Sequence, residues 1–226
     1  MVGNKLNKLK KEINKYIGIP YWINKIVNKK IVVEGAFGGK GNIYQISDAT
    51  QKAAEQEALS LSKLSTQDKY KLQKRNNIGI DCSGLTYHLL DFWYKVNTGL
   101  SIQPLIMGTD NKIGPRRVNV KMLTDPQNST QIKNLSNIKT GDIIVIDNKK
   151  HILFIIEINK NTITYVHSSQ KTKQRGVHFG TITITDPTKN LTHQIFSDQT
   201  RDNKKYSQII YPKYGDGIYR LNIFKN

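Results

Sequence analysis

GIDCSGLTYHLLDFWYKV (Gly79–Val96) is the stretch that decides how this chain is read. Leu85, Leu89, Phe92, Trp93 and Val96 recur at helical spacing, which predicts a helix with one strongly buried face. Asp81 stands where an N-cap belongs, so Cys82 falls at the helix start. A helix N-terminus carries partial positive charge and free N–H groups, which favour a thiolate and can donate to an oxyanion. Cys82 is the chain's one cysteine, so an internal disulfide is excluded.

Downstream the texture becomes β-rich. Strands are predicted near 142–147, 151–158, 162–167, 177–185 and 218–223, rich in Ile, Val, Thr and Tyr and separated by Asn, Lys and Gly turns. A cysteine-bearing helix followed by an antiparallel sheet is an α+β layout. Upstream, residues 4–17 predict a helix stopped by Gly18 and Pro20, with Leu6, Leu9, Ile13, Tyr16 and Ile17 on one face and lysines on the other. Such a helix either packs on the core or lies on an anionic membrane. Residues 22–46 are mixed, with a short strand at Lys30–Val33 and a flexible AFGGKGN segment (Ala36–Asn42). Helix formers run from Ser47, and a second helical piece follows the Ser65–Asp68 capping pair. The expectation is one domain over 1–226, with about 30–78 as a helical insertion or lid.

The 226 residues carry 35 bases against 17 acids, a net charge of +18 that predicts attraction to polyanions. Nucleic acid, anionic lipid and bacterial wall polymers are the candidates. An AT-rich genome would favour the Lys, Asn and Ile seen here, but would not by itself halve the acids. Zinc-finger spacing, RNA-binding aromatic signatures and heptads are absent, so no sequence-specific nucleic-acid binding is expected. No apolar run is long enough for a membrane span, and the N-terminus lacks the uninterrupted apolar stretch of a secretory signal. Location is therefore expected to be cytoplasmic, or outside by a non-standard route.

A thiol nucleophile needs an imidazole to take its proton. His88 lies on the helix of Cys82 but on another face, which predicts a packing or surface role. His178 and His193 have no evident partner. His151 opens one predicted strand and His167 closes the next. A hairpin turning near Asn159–Asn161 brings those ends together. With a three-residue loop, Leu153 faces His167 and His151 faces Ser169, and the two imidazoles share one face. A two-residue loop would put them on opposite faces. The reading is Cys82 as nucleophile, His151 as base and His167 as the group orienting it; the alternative is two strand histidines that merely end a hairpin. Cys82, His151 and His167 lack the CxxC or HxxxH spacing of a metal site, and AFGGKG lacks the GK[ST] ending of a phosphate loop. No metal and no cofactor are expected.

In order along the chain, GIDCSGL, TGDIIVID, HILFIIEI and YVHSS resemble the landmarks of the NlpC-type cell-wall peptidases, which are papain-like cysteine enzymes. GIPYW (Gly18–Trp22) is similar to that family's Gly-x-Pro-Tyr segment, and GVHFGTITI to the strand that follows the last histidine. The resemblance covers roughly 14–22 and 78–185. It implies a papain-like fold with Cys82 as nucleophile, His151 as general base and His167 as third triad member. Tyr21 is then placed at the oxyanion site, and Asp81 and Ser83 line the subsite for the substrate's amino side. The implied substrate is a peptidoglycan stem peptide or a similar peptide, with anionic polymers as further partners of the basic surface. This chain departs from the pattern in the some sixty residues between Tyr21 and Cys82, where Phe37-Gly38-Gly39 resembles a displaced Gly-Gly element.

Overall fold

The computed structural model describes residues 2–108 and 114–224; part of the loop-rich stretch after the cysteine helix lies outside them. The chain runs α1 (Val2–Asn14), β1 (Lys25–Val27), β2 (Lys30–Val33), α2 (Ile43–Gln56), α3 (Thr66–Arg75) and α4 (Cys82–Thr98). There follow α5 (Val120–Leu123), β3 (Ser129–Ile132), β4 (Ile143–Ile146), β5 (His151–Asn159), β6 (Thr162–Ser169), β7 (Gly176–Thr183), β8 (Ile195–Phe196) and β9 (Gly217–Leu221). The class is α+β: helices on a curled antiparallel sheet of strand order β3-β9-β4-β5-β6-β7-β8. Among the described residues no helix is long and apolar enough to cross a membrane.

The centre of the sheet is buried on both faces, which is why β4 reads as an unbroken apolar run, Ile143–Ile146, without alternation. Ile143, Val145, Ile152, Phe154 and Val166 face the helices. Ile144, Ile146, Leu153, Ile155 and Tyr165 face a second cluster built with Phe196, Tyr206 and Ile210. α4 lies in the first cluster through Leu85, Leu89 and Leu90 and stops at Gly99, whose left-handed φ of 80° a side chain would resist. α1 buries Leu9 and Ile13 in the same cluster, where Tyr16 joins them from the turn that follows, and its Lys10 pairs with Glu157 of β5. Its apolar face therefore belongs to the core.

The 30–78 stretch contributes to this cluster as well, through Ile43, Ile46, Ala53 and Ala54 of α2, Leu72 of α3, and Ile78. α2 begins before the helix-rich composition does, because Asn42 and Gln45 form a reciprocal capping box. The AFGGKGN segment, expected to be flexible, packs instead against the start of α4. Its Gly39 carbonyl accepts the Asp81 N–H at 2.9 Å. The strands that composition did not predict are β1, β3 and β8, each four residues or shorter; β3 and β8 are the sheet's two edges, where apolar patterning is weakest.

Candidate active site

Asp81 caps α4 as the sequence predicts, its carboxylate accepting the Gly84 N–H. Cys82 is buried at the first helical position. Backbone N–H groups of Ile152 and Ser83 donate toward its sulfur, so the thiol meets β5 one residue past His151. Burial nevertheless dominates. Together with the negative Asp81 it pushes the Cys82 thiol up to about 12, against the lowering effect of Lys40 and the two amides. The thiolate expected from helix position alone gives way to a protonated thiol at neutral pH.

Tyr21 reaches this point in spite of the sixty-residue interval. Ile80 N–H donates to Pro20 O at 3.0 Å and Trp22 N–H to Ile80 O at 3.4 Å, laying residues 20–22 alongside 78–81. The approach is backbone on backbone: a Cβ on Gly79 would stand 2.4 Å from Pro20 O, and one on Gly39 2.3 Å from Trp22 O. Burial, then the neighbouring Cys82 and Asp81, hold the Tyr21 phenol far above its ordinary range, so it keeps its proton. Tyr21 lines a recess of about 530 Å³ with Cys82 and Asp81, and a smaller one with His151, Ser169 and Tyr206. A separate recess of about 330 Å³ lies between α2, α3 and the segment 15–19 that follows α1, lined by neither Cys82 nor the histidines.

Asp81 and Ser83 flank the thiol but are already engaged. Lys40 Nζ lies 2.5 Å from Asp81 Oδ2 and 2.6 Å from Ser83 Oγ, and Ser83 Oγ is also within 3.2 Å of Val118 O. An ammonium group from the chain itself therefore sits where the family resemblance puts the substrate's amino group. His88, expected to be a packing or surface residue, has a specific neighbour: its Nε2 lies 2.9 Å from Lys40 O and holds that loop.

His151 and His167 are brought together: His151 Nε2 and His167 Nδ1 are 2.7 Å apart. The chain continues inward. His167 Nε2 lies 3.1 Å from Asp198 Oδ2 and 3.0 Å from His178 Nε2, and the Tyr165 hydroxyl donates to Asp198 at 2.7 Å. An ionised carboxylate only accepts, so the proton between Asp198 and His167 sits on His167 Nε2. His167 Nδ1 is then bare and accepts from His151 Nε2–H, which leaves the lone pair of neutral His151 on Nδ1. Burial opposes ionisation of Asp198, but hydrogen bonds from His167 and His178 outweigh it and hold its carboxyl far below the usual range. Burial lowers His167 to about 4 in spite of Asp198, and it pushes His151 well below 6.5, helped by His167. Both rings are neutral at pH 7.

Asp198 was not legible as a partner: it lies 31 residues from His167, in a stretch with no strand signal beyond β8. The register of β7 on β6, which pairs His178 directly with His167, is the signal that could have found His178. His193 is exposed beside Asn190 and Thr192, away from the cluster. Donor atoms of His167, His178 and Asp198 all lie within 4.8 Å of one another, close enough to hold a metal ion. The hydrogen bonds among these groups account for the same proximity without one. Comparison with protein-family models, with curated proteins and with solved structures finds no match to this chain.

Proposed function

We propose that this protein is a papain-like cysteine hydrolase of the NlpC type that cleaves amide bonds in peptidoglycan stem peptides. The observation that carries the reading is the ordered chain Asp198–His167–His151 ending at the strand start whose Ile152 amide meets the Cys82 sulfur. A capped helix carrying a thiol, beside the start of a strand whose first residue is an imidazole oriented by a second imidazole, has the parts that nucleophilic acyl transfer needs.

On this reading Cys82 Sγ attacks the scissile carbonyl carbon as its proton passes to His151 Nδ1. The neutral thiol and neutral imidazole make this a general-base step and not the use of a preformed ion pair. His167 and Asp198 keep His151 in the tautomer that accepts, and they stabilise the imidazolium that forms. The tetrahedral oxyanion accepts a hydrogen bond from the Tyr21 hydroxyl. The C–N bond then breaks, His151 returns its proton to the leaving amine, and a thioester remains on Cys82. Water attacks that thioester with His151 again as base, releasing the acid and restoring the thiol.

Digestion of purified peptidoglycan by wild type and Cys82→Ala, with released muropeptides read by mass spectrometry, tests the reading. Release by wild type alone, with masses that name the bond, supports it. No release by either protein removes the wall as substrate.

A further inference from the structure

The recess beside Cys82 is lined by Lys40, Arg116, Arg117, Lys121, Lys149 and Lys150, with Asp81 as its one acid. Lys40 neutralises that acid in a largely buried ion pair. Among the described residues none of the other five bases forms an ion pair with a carboxylate. Lys149 and Lys150 are presented by a backbone held on purpose: Asp147, Asn148 and Lys149 all have left-handed φ (59°, 57° and 56°). Buried Asp216 accepts both the Asn148 and Lys149 amides to fix that turn. The turn also leads directly into His151. A low-dielectric wall lined by one sign of charge focuses its field into the cleft and raises the local concentration of opposite charge.

We infer that this recess selects an acidic peptide segment adjacent to the scissile bond, with Lys40 as the residue that excludes a substrate ammonium there. The inference rests on the hydrolase reading and names its substrate class. A peptide is favoured over a nucleic acid because Ile23, Ile26, Val118 and Val120 give the wall aliphatic surface and Tyr21 is its one aromatic ring, too few for successive bases to stack on. A volume of about 530 Å³ suits a few residues. Lys40 is the specificity element because its Nζ already satisfies Asp81 and Ser83. A substrate amine would have to displace it, whereas a substrate carboxylate meets five bases that pair with no carboxylate among the described residues.

Cys82 is the chain's one cysteine, so thiol reagents of different charge read the recess directly. Methanethiosulfonates carrying a sulfonate or a trimethylammonium group are compared by labelling rate, each divided by its rate with mercaptoethanol. The sulfonate reagent is expected to be favoured about tenfold or more, and the preference to collapse in Arg116→Gln/Arg117→Gln/Lys149→Gln/Lys150→Gln. Lys40→Met, which uncovers Asp81, is expected to narrow it. Lys8→Glu/Lys11→Glu on α1, outside the recess, should preserve it. No preference, or equal loss in the α1 variant, overturns the inference by assigning the effect to net charge. Acetylated triglutamate should protect Cys82 from iodoacetamide and acetylated trilysine should not. Stronger protection by tripolyphosphate than by triglutamate overturns the peptide in favour of a phosphate polymer. If His151→Ala labels as fast as wild type, the hydrolase reading fails by itself, while the charge preference stands or falls on the reagent ratio.

Discussion

His151 Nε2 lies 2.7 Å from His167 Nδ1 although the turn between their strands has only two residues, Lys160 and Asn161. Asn159 pairs with Thr162, and continued without interruption that register would put the two imidazoles on opposite faces of the sheet. A bulge at Ile156 absorbs one residue. Beyond it Ile155 faces Tyr165 and Phe154 faces Val166, the register that returns both histidines to one face. The shared face expected for a three-residue loop is reached by a tight turn and a bulge.

The tautomer chain makes Asp198 a positioning residue. Asp198→Asn is expected to lower turnover roughly 10²–10⁴-fold while leaving the fold intact, because an amide no longer obliges His167 to carry its proton on Nε2. The rate of muropeptide release and the thermal midpoint of the same preparation check this. Turnover equal to wild type would remove Asp198 from the relay.

Thiol reactivity should follow burial and not helix position. With Cys82 pushed up to about 12, the thiolate fraction at neutral pH is small and grows tenfold per pH unit. The iodoacetamide rate is therefore expected to climb steadily from about pH 7 to about pH 10, where an ordinary thiol levels off near its pKa of about 8.5. A plateau already reached near pH 6 would show a preformed thiolate instead. At pH 7, His151→Ala should slow the reaction, since the thiol then has no base.

Two glycines with the same φ of 80° separate strain from clash. Gly39→Ala drives a Cβ to 2.3 Å from Trp22 O, whereas Gly99→Ala opens into free space. Gly99→Ala is expected to cost about 1 kcal/mol through its left-handed φ alone. Gly39→Ala should cost about 2–4 kcal/mol and also slow Cys82 chemistry, because Tyr21 and Asp81 move with that contact. Denaturant melts of the two variants give the comparison.

Asp216 accepts three backbone amides, those of Asn148, Lys149 and Tyr211, at 2.8–2.9 Å. Asp216→Ala leaves these donors without their carboxylate, a loss of about 2–4 kcal/mol. The turn of left-handed residues before His151 should relax as well. The expected signature is a lowered midpoint together with a weakened sulfonate preference at Cys82; a lowered midpoint with the preference intact would separate the turn from the recess.

By itself the sequence determined the cysteine helix, its Asp81 cap and buried face, five of the sheet's seven strands, and the candidates Cys82, His151 and His167. These features depend on local rules, helical and strand periodicity and capping chemistry, that act over a few residues. Only the tertiary structure decided what those residues meet. The joining of Tyr21 to Cys82 rests on backbone pairing across sixty residues, and Asp198 reaches His167 from an irregular segment. The bulge at Ile156 fixes which face His151 takes, and Lys40 closes on Asp81 from a loop that composition marks as flexible. Burial, which no window of sequence can sum, reversed the thiolate expected of a helix N-terminus, because desolvation of the charge outweighs the helix dipole and two amides.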